Sequence, residues 1–202
     1  SIMSIKQRIL LFILLITLPM VIFWSLQKKY VSFQGETMGT TYQVKLYLPL
    51  WVTKKSVYKK VDIRLNELNE IFSNWDETSE ISQFNRHDTN ESFVVSQEFA
   101  DVFSLSYDLF DMSSGAFDPS VKPLVDLWGF SNKNTYFTVP TKKQIENTQP
   151  FIGLNKIEHK NNVLIKKDKR LSLDFSSIAK GYAVDQLAAI VLNAGSKEFM
   201  VE

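Results

Sequence analysis

Four short stretches of this chain carry residue types that suit chemistry. One runs Asp174-Phe175-Ser176-Ser177-Ile178-Ala179-Lys180-Gly181-Tyr182-Ala183-Val184-Asp185, where a strand is expected to pass into a helix. Free amides at a helix start favour phosphate, and Lys180 adds a positive charge. Asp174 and the Ser177 hydroxyl are hard oxygen donors, suited to a cation that bridges phosphates. The glycine spacing is not that of the common phosphate-binding loop, so a capped helix with a surface lysine fits the same residues. A second stretch is Ser114-Gly115-Ala116-Phe117-Asp118-Pro119, followed by Leu127-Trp128-Gly129-Phe130. A Gly-Ala turn after a helix can present backbone amides to a ligand. Asp118 before Pro119 is held extended, with its carboxylate open to a ring or ribose, unless it simply begins a turn. In a third stretch, Ser73-Asn74-Trp75-Asp76 leads into Ser79-Glu80-Ile81-Ser82 and Phe84-Asn85. Trp75 in so polar a loop can stack on a planar ring or cover the end of a core. In the fourth, Gly35 and Gly39 flank Met38. They allow close backbone approach to something flat, or they mark an ordinary start to a strand.

Alternating elements would position these stretches. Residues 30–34 read as a short juncture. Residues 41–48 alternate, with Tyr42, Val44, Leu46 and Leu48 on one face, which predicts a strand ended by Pro49. Val57, Val61, Leu65, Leu68 and Phe72 form one stripe of a helix over 56–72. Residues 73–90 read as a loop with one short helical turn. Ser96 caps a second helix to Met112, stopped by Ser113-Ser114-Gly115. Residues 131–140 read as a loop, and Thr141 caps a short helix through Asn147. Residues 162–166 and 171–175 are expected to form a hairpin around a 167–170 turn. A last helix begins at Ser176 or Ser177, turns Val184, Leu187 and Val191 inward, and ends at Ala194-Gly195. Residues 199–201 start another strand. Interspersed strands and helices argue for an α+β domain.

The chain has 202 residues, with 23 Lys+Arg against 22 Asp+Glu. So even a balance disfavours a general nucleic-acid binder. The apolar fraction of 45%, with 15 Phe, argues against disorder. Without cysteine the chain offers no disulfide, thiolate zinc site, iron–sulfur cluster or cysteine nucleophile. His87 and His159 form no ligand pair. Residues 9–24 are almost wholly apolar, near the lower limit of about 17 for crossing a bilayer. Residues 1–30 therefore read as a signal peptide or a membrane anchor, and the lack of a small-residue cleavage signal favours the uncleaved anchor. Basic residues flank both ends and do not fix the orientation.

Taken in order, the four motifs resemble the FAD:protein FMN transferase (ApbE-type flavin transferase) family over residues 35–202. Those motifs are Thr-Met-Gly-Thr-Thr-Tyr, Ser-Glu-Ile-Ser-x-Phe-Asn, Gly-Ala-Phe-Asp-Pro-Ser, and Leu-Asp-Phe-Ser-Ser-Ile-Ala-Lys-Gly-Tyr-Ala-Val-Asp. The resemblance implies a T-fold-like α+β domain outside the cytoplasmic membrane. It implies magnesium-dependent transfer of FMN from FAD to a Thr or Ser of a partner flavoprotein, such as a subunit of a membrane redox pump, with release of AMP. It places Met38, Trp75, Ala116, Phe117, Asp118, Asp174 and Lys180 against FAD, and Ser177 at magnesium. The same motifs leave two alternatives open: an FAD pyrophosphatase giving FMN and AMP, or a non-enzymatic membrane-tethered flavin-binding module. The family continues past the position of Glu202 with a Gly-Gly-Glu segment and further magnesium ligands. The domain of residues 31–202 is therefore expected to be the N-terminal part of a truncated enzyme, inactive by itself. The lipid-anchor cysteine usual in the family is absent, which leaves the 9–24 helix as the tether.

Overall fold

The computed structural model describes residues 4–88, 90–130 and 139–202, so most of the loop expected at 131–140 lies outside the described residues. The chain divides into two compact units, Ser1–Ile63 with Gln186–Glu202, and Arg64–Asp185.

The first unit opens with helix α1 (Ile5–Leu26), capped by Ser4, whose side chain accepts from the Gln7 amide. None of its residues is buried, so no core covers its apolar surface. Pro19 lies inside it, and the Thr17 hydroxyl donates to the Ile13 carbonyl at 2.9 Å, a local side-chain bond of the kind that membrane helices tolerate. Strand β1 (Lys28–Thr37) follows after one residue and pairs antiparallel with β2 (Thr40–Pro49), Lys28 opposite Pro49 and Thr37 opposite Thr40. Residues 30–34 are thus the middle of a strand rather than a juncture. Val31 and Phe33 are buried between exposed Ser32 and Gln34, an alternation only two apolar residues long. Met38 and Gly39 alone make the turn, at φ 50° and 72°. Positive φ at both positions marks the primed turn whose twist matches paired strands. Strand β6 (Phe199–Val201) joins the other side of β2, giving the order β1-β2-β6. Tyr42, Val44, Leu46 and Leu48 turn into the core as the alternation requires.

Helix α2 (Lys54–Phe72) begins in the first unit and ends in the second. There follow α3 (Glu80–Arg86), β3 (Ser92–Val94), α4 (Gln97–Met112), α5 (Lys122–Leu127), α6 (Lys142–Thr148), β4 (Ile157–Lys160) and β5 (Val163–Lys166). Helix α7 (Ser176–Asn193) starts in the second unit and returns to the first. Its core-facing residues are Ala179, Ala183, Leu187 and Val191, with Val184 only half-buried. The second unit is held by aromatic rings. Phe99 is fully buried, 5.3 Å from Phe175, 6.0 Å from Phe84 and 6.3 Å from Phe72 between ring centres.

Two expectations for this unit are corrected. Residues 73–90 contain a two-turn helix, α3, because Ser79 caps it and Ile81 and Phe84 anchor it in the core. The hairpin is β4–β5, with Lys160 opposite Val163 and Asn161 at φ 52°, where Asn tolerates the left-handed conformation. The other partner of β5 is β3. Residues 171–175 keep the expected alternation, with Leu171, Leu173 and Phe175 buried, yet pair with no strand among the described residues. Side chains and loop carbonyls satisfy that backbone instead.

Candidate functional site

The segment leading into α7 is clamped from two sides. Asn85, at the end of α3, accepts from the Leu173 amide at 2.7 Å and donates to the Leu173 carbonyl at 2.9 Å. One amide side chain thus takes the place of a neighbouring strand, which explains why 171–175 stays extended without pairing. On the next residue, the Asp174 amide donates to the Pro119 carbonyl at 2.8 Å. The sequence motifs around Asn85, Pro119 and Asp174 therefore meet at one edge.

Each motif is fixed locally. Asp174 Oδ1, one residue before the N-cap position, accepts from the Ser176 amide at 2.8 Å and so satisfies the first amide of α7. Beyond it Ser177, Lys180 and Gly181 are exposed, and a Cβ at Gly181 would meet nothing within 4 Å. Spacings of three and four set these residues on one open helix face. Asp118 sits extended at φ −146° and caps the 3-10 turn Pro119–Val121, where its Oδ1 accepts from the Ser120 amide and hydroxyl at 2.8 and 2.6 Å. Ser120 in turn accepts from the Gly153 amide at 2.7 Å.

The expected display of Gly-Ala amides is corrected. The Gly115 amide donates to the Phe110 carbonyl, the Ala116 amide to the Ser113 carbonyl at 3.2 Å, and the Phe117 amide to the Ser113 hydroxyl at 2.9 Å. Helix α4 closes through Ser114 and Gly115 at φ 54° and 82°, and that closure consumes the amides. Ala116 is exposed, and Phe117 is half-buried.

Trp75 is 52% exposed rather than a lid on the core. The loop carrying it is pinned. Ser79 and Ser82 hydroxyls donate to the Ser73 carbonyl at 2.6 and 3.3 Å, and the Asn85 amide reaches Asn74 Oδ1 at 3.4 Å. Asn85 therefore joins the Trp75 loop to the backbone beside Asp174. Met38 belongs to the other unit.

Two residues of this constellation escaped sequence reasoning. Asn85 was visible only as part of a motif, and its double bond to Leu173 spans 88 positions. Lys166 is fully buried at the end of β5, with Nζ donating to the carbonyls of Asn85 at 3.0 Å and of Lys169 and Leu171 at 3.3 Å. Its position on an alternating strand was the available signal, since a lysine on an inward face needs internal partners. Burial pushes its ammonium down to about 8, against an upward pull from Asp88 and Asp168. Between that value and the ordinary lysine range the unfolded chain holds more protons than the folded one, so this group makes stability rise with pH. Urea midpoints measured from pH 7 to 10.5 are expected to rise in the native protein relative to Lys166→Met, which lacks the titrating group.

Asn85→Ala removes both bonds to Leu173 and is expected to cost about 2–3 kcal/mol in urea unfolding, since it leaves backbone groups unsatisfied in a part-buried site. Asn85→Asp keeps the acceptor, loses the donor and should fall between.

Asp174 and Ser177 fit a hard cation in donor type. Magnesium takes one or two carboxylates with phosphate oxygens and retained waters, so a small protein set suffices. Among the described residues no group of three or more His, Cys, Asp or Glu side chains is placed to hold a metal.

This α+β arrangement is that of solved flavin transferases. It superposes on a structure described as flavin transferase ApbE from Vibrio cholerae with a TM-score of 0.82 at 34% identity, covering 87% of this chain and 57% of that one. A Thermotoga maritima ApbE protein gives 0.78 at 25% identity, covering 86% and 56%. The ApbE family profile matches residues 38–202, and the chain belongs to the ApbE family. It is 35% identical over 173 residues to a Vibrio cholerae protein named FAD:protein FMN transferase, covering 85% of this chain and 52% of that one. A Haemophilus influenzae protein of the same name is 34% identical, with coverage of 87% and 53%. The chain spans about half the length of the curated relatives it matches.

Proposed function

We propose that this chain is the FAD-holding part of a membrane-anchored FAD:protein FMN transferase. The observation that carries the reading is the joining of three motifs by Asn85 and Pro119 beside Asp174. Relatives bearing the same name support it.

In this reading the pyrophosphate of FAD lies along the start of α7, with Lys180 countering its charge. Trp75 offers a ring face to stack against, and Ala116, Phe117 and Asp118 border the ligand. Asp174 and Ser177 would hold magnesium through oxygen, and the ion would neutralise charge on the phosphates. The acceptor hydroxyl oxygen attacks the FMN phosphorus. A phosphoester bond forms, the bond to the AMP oxygen breaks and AMP leaves as its phosphate anion, and the hydroxyl proton passes to solvent water. Orientation of the acceptor supplies much of the rate, because little covalent work falls to the protein. The 202 residues, which span about half the length of the relatives of that name, do not turn over alone in this reading. Residues 1–30 hold the domain, residues 31–202, at the outer face of the cytoplasmic membrane. A flavoprotein subunit is the acceptor, and nucleic acid is not a partner.

For Met38 the reading rests on its motif and on its turn. A φ of 50° is rare for residues other than Gly, Asn and Asp, so the turn gives no backbone reason for a methionine, which supports a role for its side chain. Met38→Asn is expected to leave the melting temperature unchanged or raised while weakening FAD affinity. Equal losses of both would contradict the role.

The test is incubation of the full-length protein with FAD, magnesium and a Thr-containing acceptor. Transfer predicts an FMN mass gain on the acceptor with an equal yield of AMP. Free FMN without that gain would replace transfer by hydrolysis, and flavin binding without turnover would leave only a binding module.

A further inference from the structure

We infer that the end of the first unit next to α1 rests on an anionic lipid surface, so that the anchor also fixes the unit's stance. This builds on the proposed membrane role of α1. Gln27 alone separates α1 from β1, and the hairpin register sets Lys28 opposite Pro49. The loop after β2 and the first turn of α2 therefore lie at the same end as the helix exit. Lys29 Nζ ties them together by donating to the Leu50 carbonyl at 3.0 Å.

That end is aromatic and basic. Trp51 and Tyr30 are each 56% exposed, and Tyr30 meets Tyr47 edge-on at 5.5 Å. Amphipathic rings of this kind favour the headgroup level of a bilayer. Residues 27–61 hold seven lysines against one carboxylate, Glu36, which lies toward the far end of the hairpin. Lys28 is paired with Glu198 at 2.6 Å, whereas Lys54, Lys55, Lys59 and Lys60 stand exposed. Lys54 and Lys55 occupy the first turn of α2, which holds no acidic residue. The positive end of a helix disfavours cations, so the fold gives these two lysines no return. An anionic headgroup layer does, and it is what a chain leaving a membrane helix meets first.

The absence of cysteine makes the test clean. Trp51→Cys and Thr40→Cys each give one labelling position in the 202-residue chain, at opposite ends of a hairpin roughly 30 Å long. Each variant, carrying an environment-sensitive fluorophore, is reconstituted into phosphatidylcholine vesicles with and without phosphatidylglycerol. With the anionic lipid, the label at 51 should shift to the blue and be quenched by headgroup-level spin-labelled lipid, and the label at 40 should do neither. Lys54→Gln and Lys55→Gln should each lower the docked-to-lifted ratio about fivefold. If the protein floats with the vesicles but both labels stay equally wet, the inference is wrong and the anchor stands. Failure to float overturns the anchor, and this inference with it. Loss of the shift only on adding a soluble acidic protein would assign the surface to that partner instead.

Discussion

Phe99→Ala is expected to bring the second unit close to unfolding. The ring is fully buried against Phe72, Phe84 and Phe175, on three different segments of chain. Truncating such a ring costs about 3–5 kcal/mol, through lost transfer energy and an unfilled cavity. Domains are stable by only about 5–15 kcal/mol, so a large share of the folded population is at risk. Urea unfolding followed by far-ultraviolet circular dichroism reads this directly. Phe99→Leu refills much of the volume and should recover more than half of the loss. A shift under 1 kcal/mol for the alanine variant would mean that these rings do not carry the core.

Substitution of Asp174 separates two jobs of one side chain. Its Oδ1 holds the first amide of α7, that of Ser176, and the proposed function uses the carboxylate for the cation. Asparagine can accept from that amide as aspartate does, whereas alanine cannot. Asp174→Asn in the full-length protein should keep its stability and lose at least about tenfold in magnesium-linked FAD affinity. Asp174→Ala should lose that affinity and about 1 kcal/mol of stability as well. If the asparagine variant bound FAD as tightly as the native protein at every magnesium concentration, Asp174 would hold the Ser176 amide and nothing more.

Much of the scaffold was legible where pattern and burial coincide. The alternation of Tyr42, Val44, Leu46 and Leu48, the stripe from Val57 to Phe72, and the caps at Ser96 and Thr141 all describe elements the structure contains. What escaped was set by partners distant in sequence. Residues 171–175 alternate like a strand, but their hydrogen bonds go to Asn85, Pro119 and Asp168, which no local pattern reveals. The β4–β5 hairpin turned on Asn161-Asn162, a weaker signal than the charged run at 167–170. In β1, two inward residues among polar neighbours were too few to read. The site was legible as motifs and not as geometry: Asp118 and Asp174 stand out as residue types, yet their hydrogen bonds depend on the turns that follow them.

The proposed function depends on a dinucleotide phosphate and a divalent ion meeting at the start of α7. Calorimetric titration of FAD into the full-length protein, with and without magnesium, measures that coupling. The expected result is tight binding with magnesium and binding weakened at least about tenfold after chelation, a difference that Asp174→Asn abolishes. Equal FAD affinity with and without magnesium would contradict the account and leave only the fold.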